Sequence, residues 1–348
     1  MEGAGKTYSS PEEHQYGSPH QWQVSVKLLQ LMQSDYQWAR KQLEDVCRTF
    51  GEREHVASEH LCSVLEALDR VADWGKDLTA MPGGRAIAPL PLRANCLGSF
   101  EVRMGWKKVD SWHSLKAKSL LKYLVARGGR PVPKDVLMEA LWPECDSQAA
   151  NNNLKTAVHA LRQILNPNGK ESNGKEGFFY VLFLEGNYMI NPQAELWVDV
   201  DEFERHWMAS LRLDKEGKVD EATRECQLAE MFYRGDFLED NPYEEWTLLR
   251  REALKDIYLA ILSRLGERSV KEEDYEGCII YCQKILAKDP CREDAYRGLM
   301  RCHSRLGHRS RALNWYKLCV RTLRAELDTL PDRQTAALYN HLLKDEPI

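Results

Sequence analysis

Residues 145–165 read Cys-Asp-Ser-Gln-Ala-Ala-Asn-Asn-Asn-Leu-Lys-Thr-Ala-Val-His-Ala-Leu-Arg-Gln-Ile-Leu. The spacing predicts one helix with two faces. Leu154, Val158, Leu161 and Leu165 recur at i, i+4, i+7 and i+11 and form an apolar stripe. Asn152, Lys155, His159 and Arg162 recur at i, i+3, i+7 and i+10 and form a stripe of hydrogen-bond donors. Asp146 or Ser147 suits the start as a cap. A helix anchored on one side and donor-rich on the other has the shape a DNA major groove admits. A solvated surface helix has the same pattern, so its neighbours decide.

Those neighbours have a recognisable order. Leu97–Val102 and Lys107–Trp112 are short strand candidates around a turn at Gly105. Ser114–Arg127 is an amphipathic helix with Leu120, Leu121, Leu124 and Val125 toward a core. Pro133–Trp142 is a second helix, with proline in its first turn and Pro143 at its end. Phe178–Leu184 and Tyr188–Ile190 flank Gly186-Asn187, an apt hairpin turn. Strands, three helices and a hairpin are the order of a winged helix-turn-helix.

Upstream, residues 1–20 are polar and rich in Gly, Ser and Pro and read as a flexible start. Residues 21–74 read as a helical hairpin of unknown role, and residues 75–95, with three prolines, as a linker. Gly3–Thr7 has the end of a phosphate-binding loop but neither the strand nor the helix that such a loop needs. Downstream, residues 198–345 are almost entirely helical. Cys278 and Ala312 are small residues near helix starts and lie 34 positions apart, the tetratricopeptide period. The fold class expected is mainly α: a small α+β winged-helix domain at 97–192, then an all-α helical-repeat domain.

Composition narrows the function. Residues 97–192 hold 13 Lys and Arg against 9 Asp and Glu, or +4; the whole chain is −5, which leaves the remainder at −9. A basic module on an acidic body suits a polyanion-binding head. The 10 cysteines form no Cys-x-x-Cys pair and read as structural thiols in a reducing cytoplasm. No apolar run is long enough to span a membrane, and no signal-peptide pattern opens the chain. His159 has no His or Cys at i+3 or i+4, so no metal site is expected. No Gly-x-Ser-x-Gly, His-Glu-x-x-His or complete phosphate loop is present, so neither an enzyme nor a cofactor is expected.

Several segments carry a family resemblance. They are Leu97-Gly-Ser-Phe-Glu-Val, Lys116-Ala-Lys-Ser-Leu-Leu, Val132–Pro143, Val198-Asp-Val-Asp-Glu-Phe-Glu, Tyr233-Arg-Gly-Asp-Phe-Leu and Asp289-Pro-Cys-Arg-Glu-Asp-Ala. In this order, residues 97–345 resemble SARP-type bacterial transcriptional activators, which join an OmpR-like winged helix to a bacterial transcriptional activator domain. The resemblance implies double-stranded DNA as partner, with helix 147–165 in the major groove and the hairpin wing at the backbone or minor groove. It also implies contacts of the helical domain with a second copy or RNA polymerase.

On that reading Asn152, Lys155, Thr156, His159 and Arg162 are candidate base and phosphate contacts. Lys116, Lys118 and Arg130 are candidate phosphate contacts, and Lys170 and Lys175 lie in the loop before the wing. Trp112, Trp142 and Trp197 are read as packing residues. The alternative is a non-catalytic interaction scaffold whose winged helix has become a docking module.

Overall fold

A computed structural model describes residues 90–105, 107–165 and 178–344. The flexible start expected at 1–20, the helical hairpin expected at 21–74, the Gly3–Thr7 motif, and Lys170 and Lys175 lie outside the described residues. The chain divides into two compact units. The larger comprises Arg93–Val102, Asp110–Pro192 and Leu196–Ile348 and holds both the three-helix head and the helical body. Of the smaller, residues 90–92, 103–105, 107–109 and 193–195 are described. They are tied by hydrogen bonds from Leu92 N to Glu195 O (3.2 Å) and from Gly105 N to Pro91 O (2.9 Å).

The head opens on β1 (Leu92–Asn95), β2 (Glu101–Met104) and β3 (Lys107–Lys108). The first strand lies where a linker was expected: Leu92 and Ala94 alternate inward and are fully buried. Three helices follow, α1 (Leu115–Ala126), α2 (Lys134–Leu141) and α3 (Ser147–Leu165). Ser114 caps α1 by accepting from Ala117 N at 3.2 Å. Asp146 caps α3 by accepting from Ala149 N at 2.8 Å, which settles the choice between Asp146 and Ser147.

The two-residue strand β4 (Val132–Pro133) precedes α2. The wing is β5 (Val181–Leu184) and β6 (Asn187–Ile190), antiparallel, with β4 on the far edge of β6. A last strand, β7 (Leu196–Val198), completes a four-stranded sheet of order β3-β2-β1-β7.

The body is built from α4 (Asp199–Lys215), α5 (Val219–Phe232), α6 (Glu245–Lys271), α7 (Tyr275–Lys288), α8 (Glu293–Arg305), α9 (Arg309–Leu327) and α10 (Arg333–Lys344). Neighbouring helices pack in sequence, as stacked helical hairpins do. The starts of α7 and α9 are 34 residues apart, and Cys278 and Ala312 are both buried there. Tyr233 and Tyr258 stack at 3.9 Å between ring centroids and join the end of α5 to α6.

Head and body are clasped together by the segment from Tyr233 to Asn241. Leu97 bridges Phe237 in antiparallel fashion. Gly98 N donates to Asp236 O at 3.1 Å and Leu238 N to Cys96 O at 2.8 Å. Asp199, fully buried, accepts from Cys96 N at 2.7 Å and Leu97 N at 3.0 Å. Arg251 holds the body's side of the clasp. Its guanidinium donates to the carbonyls of Phe237, Leu238, Asn241 and Pro242 and to Thr247 Oγ1. Gly235 is required at this crossing, because a Cβ there would lie 2.9 Å from Gly98 Cα and 2.3 Å from Glu239 Oε2.

Candidate nucleic-acid interface

Helix α3 is fixed to the head by Ala150, Leu154, Ala157, Val158, Leu161 and Leu165, all buried. Burying each leucine contributes about 1.5–3 kcal/mol, so the roll of the helix about its axis is well determined. That roll leaves Asn152, Lys155, Thr156 and His159 exposed on one side. Thr156 Oγ1 donates to Asn152 O at 3.0 Å, and His159 Nε2 lies 3.0 Å from Gln163 Nε2. Lys155 extends from the middle of the stripe with no side-chain hydrogen bond or ion pair among the described residues.

Arg162 continues the stripe in sequence but not in use. Its Nε and Nη2 both donate to Val181 O, at 3.1 and 2.9 Å, and its guanidinium lies over the Phe179 ring at 5.5 Å. It therefore ties the last turn of α3 to the base of the wing. The same cation eases the upward pressure that burial exerts on the Tyr188 hydroxyl.

The cations expected to hold phosphate also divide. Arg130 is exposed in the turn after α1. Lys116 donates to Leu141 O at 2.6 Å and sits 5.5 Å from the Trp142 ring, closing the end of α2. Lys118 pairs with Asp240 at 3.1 Å, beside Lys122 with the same carboxylate at 2.8 Å. These two lysines thus point at the clasp. Two cations on one carboxylate hold Asp240 below the usual range against the opposing effect of burial. Sequence inspection missed Lys122 altogether, because a lysine on an amphipathic helix carries no mark of burial.

The wing turns at Glu185-Gly186, one residue earlier than the sequence suggests. Both take positive φ, 49° and 80°. Asn187 joins β6 and steadies the turn by donating from Nδ2 to Glu185 O at 3.0 Å. A left-handed glutamate costs roughly 1–2 kcal/mol relative to a residue that prefers this region. Lys134 N donates to Gly186 O at 3.1 Å, which ties the wing tip to the start of α2. Trp142 is buried, and Trp112 and Trp197 are half-buried.

Among the described residues no group of three His, Cys, Asp or Glu side chains is placed to hold a metal ion. No described helix is long and apolar enough to cross a membrane.

Comparison with known proteins follows the same division. Residues 113–175 match the family described as transcriptional regulatory protein, C terminal. Residues 198–343 match the bacterial transcriptional activator domain. Transcriptional regulatory protein MoaR1 of Mycobacterium tuberculosis is 24% identical over 255 residues, covering 73% of this chain and 80% of that protein. Regulatory protein DnrI of Streptomyces peucetius is 23% identical over 232 residues, covering 67% and 85%. The structure of Mycobacterium tuberculosis EmbR in complex with a low-affinity phosphopeptide superposes with a TM-score of 0.58 at 22% identity; it covers 75% of this chain and 66% of that one. A winged-helix head, a helical-repeat body and these matched segments give the chain an OmpR-like regulatory domain followed by a bacterial transcriptional activator domain, the arrangement of the SARP-type transcriptional regulators it resembles.

Proposed function

We propose that this regulator binds double-stranded DNA sequence-specifically with α3 in the major groove. The observation that carries the reading is the exposed side of α3, where Asn152, Lys155, Thr156 and His159 stand on a helix whose opposite side is locked into the head. Asparagine matches the paired donor and acceptor of an adenine edge, and lysine matches guanine or phosphate. Arg130 and Lys134 add cations for the backbone, which position the protein without reading sequence. Lys116, Lys118 and Arg162 act differently on this reading. They hold α2, the clasp and the wing in place, so that α3 meets the groove at one angle.

The helical body serves contacts with a second copy or with RNA polymerase. Its acidity keeps it off the DNA. Selection of bound fragments from random duplex DNA tests the proposal, and a recovered motif with a defined repeat spacing supports it. The cation-free wing favours one competitor, a scaffold whose winged helix docks protein. Absence of any DNA shift at low salt supports the scaffold and removes the DNA reading.

A further inference from the structure

Residues 178–192 contain no lysine or arginine and one acid, Glu185. Such a wing has nothing with which to neutralise phosphate. Its apex is apolar instead, and on both faces. Side chains alternate along a strand, so the neighbours Phe183 and Leu184 leave the ribbon on opposite sides. They are 47% and 56% exposed. A ribbon lying flat on a surface needs one apolar face. Two suit a slot with two walls, and the minor groove, about 6 Å wide and walled by sugars, is such a slot.

Glu185 stands at the tip between them. A two-residue turn with both φ positive prefers Asn, Asp or Gly at this position, so turn geometry does not account for a glutamate. Its carboxylate makes no hydrogen bond or ion pair among the described residues. Strain retained at an exposed tip directs attention to what the side chain does there. A carboxylate accepts only. On the minor-groove floor A·T pairs also present only acceptors, whereas G·C adds the guanine 2-amino donor.

We propose that Glu185, at the tip of the β5–β6 wing, selects a G·C pair by accepting a hydrogen bond from the guanine 2-amino group, with Phe183 and Leu184 as the apolar sides of a wing that the family resemblance already sends to the minor groove. This rests on the DNA reading above. Because Arg162 ties the wing base to the last turn of α3, the selected pair falls at a fixed offset from the bases that α3 contacts. An acid in an anionic groove acts mainly by discrimination: paired it is tolerated, and over A·T it is repelled.

The test uses the full chain and duplexes recovered by fragment selection, with guanines replaced one at a time by inosine. Inosine keeps the major-groove edge of guanine and lacks the 2-amino group. One position outside the α3 contacts is expected to weaken wild-type binding by about tenfold on replacement. The Glu185→Ala variant should not distinguish guanine from inosine at that position. Phe183→Ala with Leu184→Ala should lower affinity while leaving the slope of log affinity against log salt unchanged. If the duplexes bind tightly and no position outside the α3 contacts responds to inosine, or if Glu185→Ala keeps the wild-type penalty, this role of the wing is wrong while the DNA reading stands. Recovery of no fragment at all overturns both.

Discussion

Lys122 Nζ and Asp240 Oδ2 meet at 2.8 Å, with the lysine side chain 3% exposed and the aspartate 29%. The lysine belongs to the winged-helix head and the aspartate to the body's clasp segment between α5 and α6, 118 positions further along the chain. Burial lowers the lysine's proton affinity, and Asp240 opposes that shift. Its other partner is the side-chain carbonyl of Asn241. A buried ammonium depends on these partners, because the charge cannot return to water without opening the clasp.

Removing the aspartate should therefore hurt more than removing both partners. Asp240→Ala is expected to lower unfolding free energy by about 2–3 kcal/mol, below the fully buried range because Asp240 is partly solvated. The double variant with Lys122→Met should recover at least half of that loss. Urea unfolding of the two single variants and the double variant measures the coupling. Additive losses would mean that the pair does not hold the clasp.

Arg251 is the least replaceable cation of the clasp. It donates to four carbonyls and a hydroxyl between Phe237 and Thr247. Lysine preserves its charge but not the planar fork that reaches these acceptors together. Arg251→Lys should cost about 2–4 kcal/mol through buried carbonyls left without donors. Thermal denaturation reports the loss, and an unchanged melting temperature would contradict this account.

Asp199 gives the clasp a pH dependence. Burial raises its carboxyl from 3.8 to about 6, opposed by the Leu97 and Cys96 amides and by the charge of Arg234. Between these two values the folded state keeps a proton that the unfolded state has released. The contribution to stability is therefore full below about pH 4 and lost as pH rises to about 6, by up to ~3 kcal/mol. Asp236 and Asp240, whose carboxyls are held low by their lysine partners, act in the opposite direction. Comparison with Asp199→Asn cancels them. Relative to that variant, the wild type should be more stable at pH 4.5 than at pH 7. A difference that is flat or reversed in sign would refute the assignment.

Lys155 and Arg162 share the donor stripe, two turns apart, yet should fail differently. Lys155→Ala should weaken DNA binding and reduce the slope of log affinity against log salt by about 0.9, the value for one phosphate contact. Arg162→Ala should speed amide hydrogen exchange at Val181 and along β5, because it releases the wing from α3. Equal effects of the two changes on salt dependence, with exchange unaltered, would place Arg162 on the DNA instead.

Much of α3 was legible in the sequence. Its apolar positions recur at helical spacing, and Asp146 stands where a cap belongs; both are local properties set by the geometry of one turn. The same holds for the order of strands and helices and for the 34-residue step from Cys278 to Ala312. The wing was legible as a hairpin, but its turn was displaced by one residue. Gly186-Asn187 is the more favourable pair, and the register that buries Val181, Tyr188 and Ile190 brings Glu185 into the turn instead.

The stripe of donors could not be resolved into its uses from sequence. Lys155, Arg162, Lys118 and Lys122 are alike as isolated residues: long, cationic and on amphipathic helices. The sequence by itself determined that α3 has a donor-rich side and that a basic head precedes an acidic body, because periodicity and charge are properties of the chain. Only the tertiary structure decided which cations remain for a partner. A cation's role depends on the nearest acceptor: Val181 lies 19 residues from Arg162 and Asp240 lies 122 residues from Lys118, and folding alone brings them within hydrogen-bond reach.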